Sequence, residues 1–264
     1  MKKLAIVGCG KLAIIVADAI IEGLLPQYQL IGTLSRSAEK AKKLADKMNN
    51  SGITYTCTPC DELDQLLALK PDYIVESASP SALRELAIPA LKNGSSIVAL
   101  SIGAFADANF YEQVQNTALQ HNTRVHLVSG AIGGFDVLRT TSLMGSSTVS
   151  FETEKGPASL RDSSVYDSAL ENEERVVFEG NAKEAIALFP TKVNVAVAAS
   201  LASVGPAEIK VKVTSKPRYV GDNHRIEINN EQVRAVIDVY SKTAEIAGWS
   251  VVNTLRNIVS PIVF

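Results

Sequence analysis

The sequence predicts an α/β fold, an N-terminal doubly wound parallel sheet followed by a second, α+β domain. Three observations carry this. Short apolar runs alternate with amphipathic helical stretches through the first 128 residues. The first run, Leu4–Val7, leads straight into Gly8-Cys9-Gly10-Lys11-Leu12-Ala13 and then into apolar residues at helical spacing. Near residue 130 the alternation gives way to the small, flexible stretch Ser129–Asp136, after which hairpin-like strands and helices follow.

The opening strand, G-x-G-x-x-A turn and helix are the context of a dinucleotide fingerprint, the mark of a Rossmann domain. Gly8 permits the tight turn, and Gly10 lets backbone amides approach a pyrophosphate. Ala13 lets the helix lie close on the strand, and the helix N-terminus faces the anion. Gly8, Gly10, Lys11 and Leu12 are the cofactor-binding candidates of this turn. The helix runs from Leu12 to Glu22 and stops at Gly23 and Pro26.

Gln29–Leu34 is the second strand, and the residues after it select the cofactor. An acid at this point would bind a free ribose 2′-hydroxyl. Ser35-Arg36-Ser37 stands there instead, and a guanidinium beside two hydroxyls suits a 2′-phosphate, so NADP is favoured over NAD. Ala38–Met48 is an amphipathic helix, Ile53–Cys57 the third strand, Asp61–Leu69 a helix with an acidic start, and Tyr73–Ser79 the fourth strand. Ser81–Lys92 is a helix closed by Asn93-Gly94, Ser96–Leu100 the fifth strand, Phe110–His121 a helix, and Arg124–Val128 the sixth strand. The strand ends Ser77–Pro80, Ser101–Ala104 and Ser129–Gly134 are small and polar or contain glycine. They leave room for ribose and nicotinamide, and Ser77, Ala78 and Ser101 join the cofactor candidates.

In the second half, Phe135–Met144 reads as a helix, Thr148–Thr153 and Ala158–Leu160 as strands, and Arg161–Glu174 as a polar loop. Ala182–Phe189 and Lys192–Val204 read as helices, Ile209–Thr214 as a strand, and Arg225–Asn229 with Val233–Ser241 as a hairpin. Ala244–Ile258 is a final amphipathic helix. The domains are thus 1–128, a dinucleotide-binding domain, 129–241, a substrate and dimerisation domain, and 242–264, a helix returning to the first.

With 264 residues, 46% hydrophobic and 20% charged, and a net charge of -2, the chain has an ordinary soluble composition and no basic footprint for nucleic acid. No apolar run reaches the ~18 residues of a membrane span. The apolar stretch after Met1-Lys2-Lys3 is broken by Gly8–Lys11, unlike a signal peptide. Three cysteines, an odd number, suit a cytoplasmic protein. Cys57-Thr58-Pro59-Cys60 is a C-x-x-C with no further Cys or His close by in sequence, so a structural loop is favoured over a metal site.

Several stretches then carry a resemblance: GCGKLA at Gly8–Ala13, VESAS at Val75–Ser79, SIGAFAD at Ser101–Asp107, SGAIGGFD at Ser129–Asp136, FPTKVNVAVAASLA at Phe189–Ala202 and NHRIEI at Asn223–Ile228. In order and spacing, over nearly the full length, the chain resembles the aspartate dehydrogenase family. The resemblance implies a nicotinamide-dependent, typically dimeric enzyme that oxidises L-aspartate to iminosuccinate, which yields oxaloacetate and ammonia or feeds NAD biosynthesis. It implies NAD contacts at Ala131 and Asn194 and a catalytic histidine at His224. Where the family has an NPKTS-like segment, this chain has Tyr240-Ser241-Lys242-Thr243-Ala244.

On the residues, His224 lies in a polar turn before a strand, with Asp222 placed to polarise it, and imidazole exchanges protons near neutral pH. A dicarboxylate substrate needs cations, and Lys192, Arg225 and Lys242 are the nearest candidates. The architecture alone leaves two alternatives, an NADP-dependent reductase of a cyclic imine or semialdehyde, and a non-catalytic NADP-binding protein.

Overall fold

Lys2–Val7 forms β1, near the centre of a six-stranded sheet, and Leu4, Ala5 and Ile6 are wholly buried, as a strand covered on both faces requires. The computed structural model describes residues 1–190 and 193–264. The chain falls into two units: Met1–Val128 together with Ala247–Phe264 (unit 1), and Ser129–Ile246 (unit 2).

In unit 1, β1 leads through α1 (Lys11–Ile21) to β2 (Tyr28–Leu34), α2 (Ala38–Asn49), β3 (Thr58–Cys60) and α3 (Leu63–Ala68). Then come β4 (Tyr73–Glu76), α4 (Pro80–Lys92), β5 (Ser96–Ala99), a 3-10 turn at Ile102–Ala106, α5 (Ala108–Gln120) and β6 (Val125–Leu127). All pairings are parallel, in the order β3-β2-β1-β4-β5-β6. The order reverses between β1 and β4, so their C-terminal ends border the crevice where such sheets bind ligands. Helix starts are capped locally: Ser37 for α2, Ser79 with Pro80 for α4, and Asp107 for α5.

The third strand is not Ile53–Cys57 as the sequence predicts. The side chain of Asn49 accepts from the Cys57 amide (2.8 Å) and donates to its carbonyl (2.9 Å). Those backbone groups are therefore taken, and pairing with β2 starts at Thr58, opposite Gly32. The C-x-x-C motif thus runs into this strand, and burial pushes the Cys57 thiol up to about 12.

In unit 2, α6 (Phe135–Met144) precedes β7 (Thr148–Lys155), β8 (Arg175–Asn181), α7 (Ala182–Leu188) and α8 (Asn194–Leu201). They are followed by β9 (Lys210–Ser215) and the hairpin β10 (Asp222–Asn229) and β11 (Arg234–Ser241). The sheet order is β11-β10-β7-β9-β8, antiparallel except for β7 with β9. Ala158–Leu160 is not a strand: Gly156 and Pro157 open a 3-10 turn there. One face of the sheet, with Val149, Phe151, Val211, Val213, Ile226 and Ile228, is buried, and the other is more exposed. The last helix, α9 (Glu245–Val259), places Val251, Val252 and Leu255 in the core of unit 1, where Leu255 carbonyl accepts from the Tyr28 hydroxyl at 2.8 Å. Among the described residues no helix is long and apolar enough to cross a membrane.

Candidate active site

In unit 1, Gly8 has φ +94°, and a Cβ there would lie 2.6 Å from the Ala78 amide and the Ser77 carbonyl carbon. The β1–α1 turn is thus pressed against the loop after β4, and only glycine fits. Three bonds fix the approach: the Ser77 amide donates to Val7 carbonyl, the Ser77 hydroxyl to Gly8 carbonyl, and the Gly8 amide to Leu34 carbonyl. Cys9 adds a thiol contact to the same Leu34 carbonyl, and burial pushes that thiol up to about 12. Gly10 is different. It is the N-cap of α1, and a Cβ there would meet nothing within 4 Å. Beyond it, α1 begins with no side-chain cap and no acid in its first turn, so its amides present positive potential to an anion. The chain therefore fits a dinucleotide pyrophosphate at this turn. Lys11 is exposed and Leu12 half-buried beside it.

Glu76, which the sequence reading missed, knits the crevice from below. Its wholly buried carboxylate accepts from the amides of Ala78, Ser79 and Ser101 and from the Ser101 hydroxyl. Burial pushes its carboxyl up, and these four donors pull it back. The hydroxyls of Ser77 and Ser101 thus each donate within the protein, to Gly8 carbonyl and to the Glu76 carboxylate. The signal was present in sequence: an acid closing an otherwise apolar strand, with serines just beyond. Past β2, Ser35 is half-buried and Arg36 exposed, while Ser37 spends its hydroxyl capping α2. The first acid in α2, Glu39, pairs with Lys43, which leaves Arg36 as the charged side chain within Ser35–Ser37.

In unit 2, His224 is not in a turn. The strand begins at Asp222, and His224 is buried, with 2% of its surface exposed. Its ring stacks on Phe151 (centroids 5.6 Å apart), and its Nδ1 has no partner. It stands opposite Thr153 of β7 and Val239 of β11. Asp222 does not hold the ring, because its carboxylate is bound 2.9 Å from the ammonium of Lys155. Burial first, then the charge of Lys155, push the imidazole down to about 4 against the opposing pull of Asp222, so it is neutral at physiological pH. Lys155 escaped the sequence reading, although it stands in the inward register of an alternating strand, Val149-Phe151-Thr153-Lys155. A lysine in that phase is the usable signal.

The Ala131 loop and Asn194 are brought together. Gly130 (φ +61°) abuts Val195, so the loop lies at the start of α8, where Asn194 is the first helical residue. Arg225 is not brought to His224. Neighbouring strand residues face opposite sides, and Arg225 lies by Glu227 and Asp238 on the more exposed face. Lys242 is exposed just past Ser241, which pairs with Asp222 at the His224 end of the sheet. Lys192 lies outside the described residues.

A parallel sheet of this order with a bare helix N-terminus behind its first turn, continued into an α+β unit, defines the class of NAD(P)-dependent dehydrogenases. Comparison narrows it. Residues 136–258 match the family described as aspartate dehydrogenase, C-terminal, and residues 8–128 the one described as homoserine dehydrogenase, NAD binding domain. The L-aspartate dehydrogenase of Methanosarcina mazei is 33% identical over 99% of this chain and 98% of its own. That of Methanococcus maripaludis is 31% identical, with the same coverage. The crystal structure of aspartate dehydrogenase from Thermotoga maritima aligns with a TM-score of 0.74 at 27% identity, covering 100% of this chain and 99% of its own. The chain belongs to the aspartate dehydrogenase family.

Proposed function

We propose that the protein oxidises L-aspartate with NADP, giving the imine that water converts to oxaloacetate and ammonia. The observation that carries this reading is His224, whose Nδ1 has no protein partner and whose ring is fixed in register on the sheet. Loss of hydride from Cα requires that the substrate ammonium first give up a proton, and a neutral imidazole accepts one. Phe151 and the flanking strands fix the ring plane, so its direction does not have to be found during turnover. Bound NAD(P) supplies the hydride acceptor. Ala131 and Asn194, each one residue from the contact of Gly130 with Val195, offer a small backbone surface and a carboxamide, the complement of the nicotinamide carboxamide. Arg36, with Ser35, supports NADP over NAD.

The test is direct. L-Aspartate with NADP should produce reduced cofactor, and the rate with NAD should be lower. NADPH binding without turnover of aspartate or any of a panel of amino acids would instead make this a nucleotide-binding protein.

The same reading includes a homodimer in the cytoplasm. The less covered face of the second sheet carries Val176, Val236 and Tyr240 among its charges, which supports self-association, and three free thiols suit a reducing compartment. Light scattering that returns a monomer mass would remove the dimer.

A further inference from the structure

Three buried polar atoms without a protein partner, His224 Nδ1, Thr153 Oγ1 and Ser215 Oγ, belong to neighbouring positions on one face of the second sheet. The register of β10, β7 and β9 arranges this face in two rows. His224, Thr153 and Val213 form one, and Asp222, Lys155 and Ser215 the other. Side chains within a row stand about 5 Å apart, and the rows about 7 Å apart along the strands. Thr153, Lys155 and Ser215 are 1, 4 and 0% exposed. Such burial leaves each hydroxyl costly unless something accepts its proton. The Lys155 ammonium has three donors, and Asp222 takes it from one side only. Asp222 keeps 36% of its side chain exposed, so its row reaches solvent.

Two hydroxyls and an ammonium at neighbouring positions on one sheet face, beside a base, complement a carboxylate. We propose that Lys155, with the hydroxyls of Thr153 and Ser215, binds a carboxylate of the substrate and so presents its amino group to His224. This rests on the reading of the chain as an amino acid dehydrogenase. Either carboxylate of a dicarboxylic amino acid carries the required chemistry.

The test uses the full-length protein saturated with NADP and two readouts, succinate binding by calorimetry and steady-state kinetics with L-aspartate. The informative variant is Thr153→Val combined with Ser215→Ala. It removes only unpartnered hydroxyls and leaves the Lys155–Asp222 pair in place, so a merely structural role predicts lost stability. The subsite predicts an unchanged or higher Tm, with KM raised about tenfold and kcat held within about threefold. Lys155→Met should abolish succinate binding with NADP affinity intact, and Lys155→Arg should restore part of it. Inhibition by L-asparagine separates the carboxylates. If Lys155→Met weakens asparagine as much as aspartate, the α-carboxylate is bound, and if asparagine is spared, the β-carboxylate is. Unchanged KM and succinate affinity in the double variant, or a wild-type protein that binds no dicarboxylate, overturns the subsite. Succinate binding that depends on these residues sustains it even if L-aspartate is not oxidised, whereas turnover with unaltered KM removes the subsite and leaves the activity standing.

Discussion

At the strand ends of unit 1 the buried side-chain polar groups are satisfied within the protein, whereas the buried ones without a partner among the described residues all lie in unit 2, on Ser142, Thr153, Ser215 and His224. Glu76 draws four donors around itself, and the Ser77 hydroxyl closes on Gly8. At its first turn unit 1 offers a ligand backbone, the bare start of α1. What unit 2 offers is side chains held in register by a sheet. A pyrophosphate common to many cofactors can be held by backbone geometry. A particular small substrate needs functional groups, and keeping those unpaired costs stability at the place where they are used.

The largest effect should come from removing the base. His224→Ala is expected to lower kcat about 10²–10⁴-fold with NADP affinity nearly intact, because the imidazole is assigned to the substrate proton and not to the cofactor. Unaltered turnover would break the contrast at its strongest point. Next, Gly8→Ala places a methyl into the Ser77–Ala78 backbone at a left-handed φ. Denaturant titration should show roughly 2–4 kcal/mol lost, with NADP binding weakened in parallel.

Third, the depressed pKa of His224 links unit 2 to acid. The unfolded imidazole protonates near 6.5 and the folded one at about 4, so its contribution is full above 6.5 and is lost as the pH falls toward 4. The loss should approach roughly 3 kcal/mol, and a His224→Gln variant should lack that slope in a stability–pH series. Smallest is Arg36→Ala, expected to weaken NADP about 10–100-fold and NAD by less than about twofold. Equal losses for both cofactors would show that Arg36 does not read the 2′-phosphate.

Much of this was legible in the chain. The helix Phe135–Met144 is found at its predicted bounds, and five of the six strands of the parallel sheet lie where the sequence places them, because buried runs ending in glycine or serine are strong local signals. The misplaced strand at 53–57 shows what local signals omit: a side chain eight residues back, Asn49, had already claimed the Cys57 backbone. His224 was singled out by its residue type, but its environment was misread, since Gly221-Asp222-Asn223 has turn composition and yet Asp222 and Asn223 pair on both sides with β7 and β11. Lys155, Thr153 and Ser215 lie on two strands far apart in sequence, and only the register makes them neighbours.

The Tyr28–Leu255 bond and the burial of Val251, Val252 and Leu255 bear on how the chain is made. Unit 1 begins at the first residue and cannot close its core until α9 has emerged, after the whole of unit 2. Each of these three apolar side chains contributes about 1.5–3 kcal/mol when buried. During synthesis the nucleotide-binding sheet therefore waits with an open seam beside β2 while the second sheet folds. Deleting α9 should leave unit 1 prone to aggregate even though β1–β6 are all present, and adding that helix as a separate peptide should recover soluble protein.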